Sequence, residues 1–121
     1  MDRFQAQAAF WNGYGVPAYE ENAVPDAKEV TFPYITYQAV SAPFDGDVSV
    51  NASIWTKGTS WVIADGLVDA IESDLHNGGK VLSYTGGMIW VTAETPFSQS
   101  MGDPDNDLIK RKLLTVVLHF A

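Results

Sequence analysis

A strand that begins at a proline, followed by a turn, a second strand and a helix, constrains the fold of this chain most. Pro33 lies in the segment Val30–Tyr37, where β-branched and aromatic residues favour a pleated, half-buried surface. Proline has no N–H to donate to a ladder, so Pro33 belongs at a strand start or on an edge strand. We therefore expect a strand from about Tyr34 to Ser41, and Asp45-Gly46 as a turn before the next strand.

The second strand and the helix after it show clear periodicity. Strand alternation covers Val48–Trp55, and a helix is expected from Thr59 or Ser60 to about His76, where Gly78-Gly79 stops it. One helix face is apolar and should dock on the sheet. The other face is acidic, and it is either a solvated stripe or a negative surface presented to a partner or a channel. The apolar face comprises Ala64, Leu67, Val68, Ile71 and Leu75, and the acidic face comprises Asp65, Asp69, Glu72 and His76.

The two ends of the chain supply the remaining elements. Asp2 can cap a first helix of about ten residues with Phe4, Ala8 and Trp11 on one face. Two prolines and the lack of a period in residues 16–26 indicate an ordered arm or loop. Near the other end, residues 80–94 predict a hairpin, and the polar residues 96–107 predict a long loop that is a candidate contact arm.

The last strand is expected from about Leu108 to Phe120. Its second half is apolar on both faces, which is typical of a central strand. In its first half, Lys110 and Lys112 should point one way and Arg111 the other. The sequence therefore predicts one α+β domain over residues 1–121, with a mainly antiparallel sheet of about four to five strands and flanking helices in the order α-β-β-α-β-β-β.

Composition narrows the functional classes. Hydrophobic residues make up 46% and charged residues 18%, and no apolar run approaches the roughly 20 residues that span a bilayer, so we expect a soluble cytoplasmic product without a membrane partner. The formal net charge is −8, with only seven Lys and Arg, which argues against direct gripping of DNA. An acidic surface can still face DNA that slides past without sticking, although an ordinary solvated surface is the commoner explanation of such a charge.

Catalytic motifs are absent from the sequence. There is no cysteine, and neither His76 nor His119 sits in metal-binding or triad spacing. No phosphate-loop, dinucleotide or hydrolase-elbow pattern occurs. Residues 103–107 look superficially like a calcium loop, but Leu108 and Leu114 occupy the positions of the required glycine and acid. We therefore predict a protein that is not an enzyme and has no catalytic residues, metal or cofactor.

Four aromatic residues leave two interpretations open. Trp55 and Trp90, together with Tyr34 and Tyr37, could form a platform for a sugar or another flat ligand. Alternatively they are core residues and subunit contacts, since exposed aromatics on strands also anchor protein partners.

Several segments together carry a resemblance to a known family. They are Phe10-Trp11-Asn12, Gly15–Tyr19, Val24-Pro25, Phe32–Tyr37, Asp45-Gly46, Trp55 and the amphipathic helix, and Asp107–Arg111 leading into an apolar strand. Read together, they resemble the tail terminator proteins, also called tail completion or tail-to-head joining proteins, of phages and prophages with long non-contractile tails. The resemblance covers nearly the full chain.

The resemblance implies an α+β subunit of a homo-hexameric ring. Such a ring caps the finished tail tube at the head-proximal end of the virion tail, contacts the tube protein and a head-completion or connector protein, and lets DNA pass without specific binding. The protein would be made in the cytoplasm of the bacterial host. The acidic residues Asp65, Asp69 and Glu72 could then line the lumen. The expected subunit or partner contacts are Pro17, Tyr19, Pro25, Phe97, Met101, Asp103, Asp105, Lys110 and Arg111.

Two other functions stay open at this point. The chain could be another small virion component, such as a tube or head-completion subunit. It could also be a ligand-binding module that uses Trp55, Trp90 and Tyr37.

Overall fold

Two helices pack on one face of a curled six-stranded sheet in this computed structural model, which describes residues 1–26, 30–103 and 106–121. The α+β class predicted from the sequence is confirmed. The helices are α1 (Arg3–Trp11), followed by a 3₁₀ turn (Asn12–Tyr14), and α2 (Val62–Leu75). The strands are β1 (Ala18–Glu20), β2 (Tyr34–Tyr37), β3 (Asp47–Lys57), β4 (Lys80–Tyr84), β5 (Gly87–Asp103) and β6 (Asn106–Phe120).

The sheet is mixed and has the strand order β1-β2-β3-β6-β5-β4. The prediction of four to five strands in the order α-β-β-α-β-β-β is wrong by one strand, because residues 18–20 form β1 inside the segment expected to be an arm or loop. This short strand pairs in parallel with β2, and the Ile35 N–H donates to the carbonyl oxygen of Pro17 at 2.8 Å. Three residues give no period, so the pairing partner rather than local pattern defines β1.

The long hairpin of β5 and β6 is the second difference. Residues 96–107 were expected to be a polar loop, but β5 continues to Asp103 and β6 already begins at Asn106. The register between the two strands shifts between Ala93 and Ser98, and the pairing then resumes with Ser98 opposite Leu114. Polar side chains suit these positions because β6 satisfies the backbone groups of β5 while the side chains reach solvent or Lys112, whose Nζ donates to Ser100 Oγ at 2.7 Å.

The core lies between the helices and the sheet face that they cover, which we call the inner face. Alternate residues of β3 and β6 are buried there, as the strand periodicity predicted, and β6 is a central strand between β3 and β5. The apolar face of α2 is confirmed as well, with Leu67 only half-buried. The buried residues of these elements are Val50, Ala52, Ile54, Ala64, Val68, Ile71, Leu75, Leu114, Val116, Leu118 and Phe120.

Helix α1 begins as predicted, and Ala8 and Trp11 of the predicted face pack on the core. The Asp2 carboxylate accepts hydrogen bonds from the backbone N–H groups of Phe4 and Gln5, and the Gln5 side chain accepts one from the Asp2 N–H. Phe4, however, is 46% exposed, whereas Gln7 is buried. The Gln7 amide both donates to and accepts from the backbone of Val40 at 2.8 and 3.1 Å, which is why a polar residue lies on the buried face.

Neither described helix is long and apolar enough to cross a bilayer.

Candidate functional site

The sheet face opposite the helices, which we call the outer face, carries the most distinctive group of side chains. Two registers place Tyr34 opposite Trp55 and Trp55 opposite Arg111, and a third places Arg111 opposite Met101. Four strands, β2, β3, β6 and β5, therefore contribute one residue each to a line across the sheet. We call these four residues the aromatic–arginine row. Met101 and Arg111 were both expected contact residues, and the structure brings them together.

Stacking holds the middle of the row. The rings of Tyr34 and Trp55 lie 6.2 Å apart between centroids with 14° between their planes. On the other side, the Arg111 Cζ lies 4.9 Å from the Trp55 centroid, within cation–π distance. Trp is the most favourable aromatic partner for a cation, so Trp55 helps to hold Arg111 in place.

Hydrogen bonds to the next residues along the strands orient the row further. Trp55 Nε1 donates to Thr36 Oγ1 at 3.0 Å, and Arg111 Nε donates to Ser53 Oγ at 2.9 Å. Ser53 is buried, so the Nε edge of the guanidinium is directed into the sheet. Burial raises the pKa of the Tyr34 hydroxyl, which therefore stays protonated at neutral pH.

Arg111 differs from two other cations in its electrostatic environment. Lys80 pairs with Asp74 and Lys112 pairs with Asp65, each at 2.8 Å. Among the described side chains, which do not include that of Asp103, no carboxylate oxygen lies within 4 Å of the Arg111 side chain. Arg111 also lines a cavity of about 250 Å³. The residues that line this cavity are Glu21, Val24, Tyr34, Thr36, Asn51, Ala52, Ser53, Trp55 and Arg111.

Other expected contact residues lie near one end of the row. Tyr19 lies beside Tyr34, with 6.2 Å between ring centroids and an edge-on angle of 61°. Pro25 lines a second cavity of about 410 Å³ together with Tyr34 and Phe32. Pro17 acts through its carbonyl group, which accepts the hydrogen bond that starts β1. The proline-containing segment is therefore attached to the edge of the sheet at β2.

Phe97 and Lys110 do not join this group. Phe97 is half-buried and packs against the core, so it is not the tip of a projecting loop. Lys110 lies on the inner face, where its Nζ is 5.4 Å from the Trp61 centroid, and this confirms that Lys110 and Arg111 point in opposite directions. Asp105 and the side chain of Asp103 lie outside the described part of the structure.

The acidic face of α2 is partly neutralised. Asp65 pairs with Lys112, whereas Asp69 and Glu72 are exposed, and no cation lies within 4 Å of either in the part of the chain that the structure describes. Of the three acidic residues expected to form a stripe, only Asp69 and Glu72 have no cation partner among the described residues.

The four aromatic residues do not form one platform. Tyr37 is buried on the inner face and stacks on Trp11, with 6.2 Å between centroids and 17° between planes. Trp90 lies at the opposite end of the outer face, 4.7 Å from the ring of His119. Only Tyr34 and Trp55 remain as a stacked pair.

A chain of hydrogen bonds around His119 is a feature that sequence spacing missed. His119 Nδ1 lies 2.7 Å from Asp47 Oδ1, and Nε2 lies 2.9 Å from Thr92 Oγ1. Acid, imidazole and hydroxyl occur in this order in nucleophilic triads, but the acid of such a triad is buried and Asp47 is 64% exposed. We interpret the group as a cross-strand tie between β3, β6 and β5. Only the strand register could have revealed this group, because it pairs His119 with Asp47 on β3 and with Trp90 on β5.

Tyr14, Asp74 and Lys80 form a second polar group, at a cavity of about 300 Å³ between α1, α2 and β4. The Tyr14 hydroxyl and Lys80 Nζ both donate to Asp74 Oδ2 at 2.8 Å. Hydrogen bonds from Lys80 and then Tyr14 lower the pKa of Asp74. Burial, and then Asp74, raise the pKa of Tyr14, so the phenol stays a donor. The group joins the 3₁₀ turn, α2 and β4.

Metal ligands do not cluster in the described ranges, where no three His, Cys, Asp or Glu residues are placed to hold an ion.

In comparisons with known proteins, no family model matches the chain and no curated protein is significantly similar to it.

Proposed function

We propose that this chain is a structural protein of a phage virion that forms a homo-hexameric ring, caps the completed tail tube and stops its elongation. The other side of the ring offers the surface that joins the tail to the head. One observation carries the proposal: the outer face bears an ordered row of Tyr, Trp, Arg and Met that no described helix covers. The resemblance of the sequence to tail terminators supplies the virion context.

Protein interfaces are enriched in the residue types of this row. Tyr, Trp, Arg and Met are over-represented in interface cores, and Trp, Tyr and Arg dominate their binding energy. The row is held by stacking and by hydrogen bonds to Thr36 and Ser53, so little side-chain entropy remains to be lost on binding. An ordered surface of this kind suits a permanent subunit contact.

A closed ring requires two different patches on each subunit, because its contacts are head-to-tail. The outer face is one such patch, and the helix layer on the opposite side of the sheet can supply the other. Termination then follows from geometry, since one ring face is complementary to the last tube ring and the other does not recruit a further tube subunit. The net charge of −8 favours the passage of DNA without specific binding.

The partners in this proposal are further copies of the chain, the tail tube protein and a head-completion or connector protein. The protein acts at the head-proximal end of the tail after synthesis in the bacterial cytoplasm, and it has no enzymatic step.

Adding the purified protein to growing tail tubes tests this function. We expect negative-stain images to show rings on tube ends and elongation to stop. Mass measurement at high protein concentration should show hexamers. Continued elongation with incorporation of the chain would identify a tube subunit instead. A strict monomer that never binds tubes would contradict the proposal.

A ligand-binding module is the second candidate, because the near-parallel Tyr34 and Trp55 rings line the 250 Å³ cavity. Flat ligands such as sugars stack on pairs of this kind. Glycan binding that disappears in Trp55→Ala while the fold is kept would favour this candidate over the ring subunit.

A further inference from the structure

We propose that the Arg111 cavity is the receiving half of a subunit contact, and that its ligand is a carboxylate on α2 of a second copy of this chain. The proposal rests on the ring-forming function proposed above and names the side chains that join neighbouring subunits. It starts from the guanidinium of Arg111, which is ordered by its own chain but has no described acidic partner.

Arg111 is preorganised for an anion. Its guanidinium lies over the Trp55 ring and its Nε already donates to Ser53. The two terminal nitrogens make no hydrogen bond to the described residues, so they remain to bind a ligand at the cavity that Arg111 lines. A guanidinium binds carboxylates and phosphates with two parallel hydrogen bonds, and such charge-assisted bonds are about twice as strong as neutral ones. The half-buried aromatic surroundings reduce the screening of this charge by water.

The surroundings favour a carboxylate over a phosphate. Glu21 lines the same cavity and the whole chain has a net charge of −8, so a dianion or a nucleic-acid backbone would meet repulsion from several sides. A single carboxylate brings only one charge. The cavity of about 250 Å³ is also small, below the range of drug-sized ligand pockets, and it is suited to one side-chain head group.

Helix α2 is the source that the architecture offers. Helix α2 lies on the side of the sheet opposite Arg111, so a head-to-tail contact can place α2 of one copy on the outer face of the next. Asp69 and Glu72 are its exposed carboxylates without a described cation, whereas Asp65 already pairs with Lys112. Asp69 and Glu72 then serve the subunit contact rather than a lumen.

Apolar residues on the same helix support this pairing. Val62 is 75% exposed and Ile63 is 60% exposed, although both are large aliphatic side chains. Val62 lies seven residues before Asp69 and therefore on the same side of α2. The exposed side of the helix thus combines apolar area with a carboxylate, and the outer face combines Tyr34, Trp55 and Met101 with a cation.

Charge reversal and its rescue test the contact. Sedimentation of the full-length wild-type chain should show ring formation with rising concentration, and Arg111→Glu should weaken self-association by about 30-fold or more, because one charge of a desolvated pair is replaced by a like charge. A second reversal, Asp69→Arg or Glu72→Arg, made in the Arg111→Glu background should restore assembly. Arg3→Glu, which makes the same charge change on α1, is the matched control and should assemble like wild type.

The outcomes separate the two proposals. If wild type assembles and Arg111→Glu does so equally well, or if neither double variant is rescued, the Arg111 contact is overturned and the ring function stands. If wild type neither assembles nor binds tubes, the proposed function fails, and this contact fails with it. Circular dichroism and thermal unfolding verify that each variant is folded, and Arg111→Lys, which keeps the charge but loses the planar fork, should show an intermediate loss.

Discussion

Single residues show where the protein satisfies its polar groups and where it does not. Gln7 is buried with its amide fully engaged by the backbone of Arg3 and Val40, and Ser53 is buried as the acceptor of Arg111. Thr56, in contrast, has a buried hydroxyl oxygen with no hydrogen-bond partner among the described residues. A buried group of this kind costs free energy, because the water it bonded in the unfolded chain is lost without replacement.

Thr56→Val should therefore stabilise the fold. It replaces the hydroxyl with a methyl group of similar size on a buried strand position, and we expect the free energy of unfolding to rise by roughly 0.5–1.5 kcal/mol in urea denaturation. Thr115→Val is the matched control, because the Thr115 hydroxyl donates to Asn51 Oδ1 at 3.2 Å. An equal gain in both variants would show that strand propensity, rather than the unpaired hydroxyl, is responsible.

Asp74 gives a prediction for pH dependence. Its pKa is lowered in the folded state by Lys80 and Tyr14, so its contribution to stability is present above its ordinary pKa of 3.8 and is lost as the pH falls through the folded value. Asp74→Asn should lower the free energy of unfolding at pH 7 by roughly 0.2–1 kcal/mol, since the pair is partly exposed.

The difference between wild type and Asp74→Asn should close as the pH falls below 3.8, as measured by denaturation across a pH series. Asp69→Asn is the control, because no described cation lies within 4 Å of Asp69. A difference that is independent of pH would mean that the Asp74 hydrogen bonds, and not its charge, stabilise the fold.

At the scale of elements, local sequence explains the helices better than the strands. The Asp2 cap, the apolar face of α2 and the inward residues of β3 and β6 follow from spacing, because period and capping are local properties. Spacing does not predict β1 or the second half of β5. The three residues of β1 give no period, and the residues from Pro96 to Asp103 lack a regular apolar pattern. Their strand state depends on β2 and β6, which satisfy their backbone groups.

Two glycines, Gly66 inside α2 and Gly79 just after it, should change stability in opposite directions when replaced by alanine. Gly66 lies inside the helix, and a Cβ there would meet nothing within 4 Å, so Gly66→Ala should raise the free energy of unfolding by about 0.5–1 kcal/mol. Gly79 has a φ of +87°, and a Cβ would collide with the carbonyl oxygen of Val91. Gly79→Ala should therefore destabilise by more than this gain. Thermal unfolding of both variants tests the pair, and a gain at Gly79 would contradict the tight turn between α2 and β4.

The whole molecule has two faces of different character, and assembly should depend on both. Val62 and Ile63 contribute little to the monomer because water reaches most of their surface. In the proposed ring they lie between copies, where the same area is removed from water.

Val62→Ser should leave the monomer almost unchanged, within about 0.5 kcal/mol in denaturation. It should nevertheless weaken self-association severalfold in sedimentation experiments, because the apolar area of Val62 is lost from the subunit contact. Leu75→Ser on the buried side of α2 is the contrasting variant, since it should destabilise the monomer itself. Unchanged assembly of Val62→Ser would place the exposed side of α2 outside the contact.

The sequence by itself determined the α+β class, the inner face of the sheet and the opposed directions of Lys110 and Arg111, because alternation and helical spacing depend only on neighbouring residues. It also predicted Met101 and Arg111 as subunit or partner contacts, without showing that they lie opposite each other on neighbouring strands. Only the tertiary structure decided that Tyr34, Trp55, Arg111 and Met101 form one row and that Tyr37 and Trp90 lie elsewhere. The physical reason is that strand order and register join residues far apart in the chain, and no local pattern encodes that pairing.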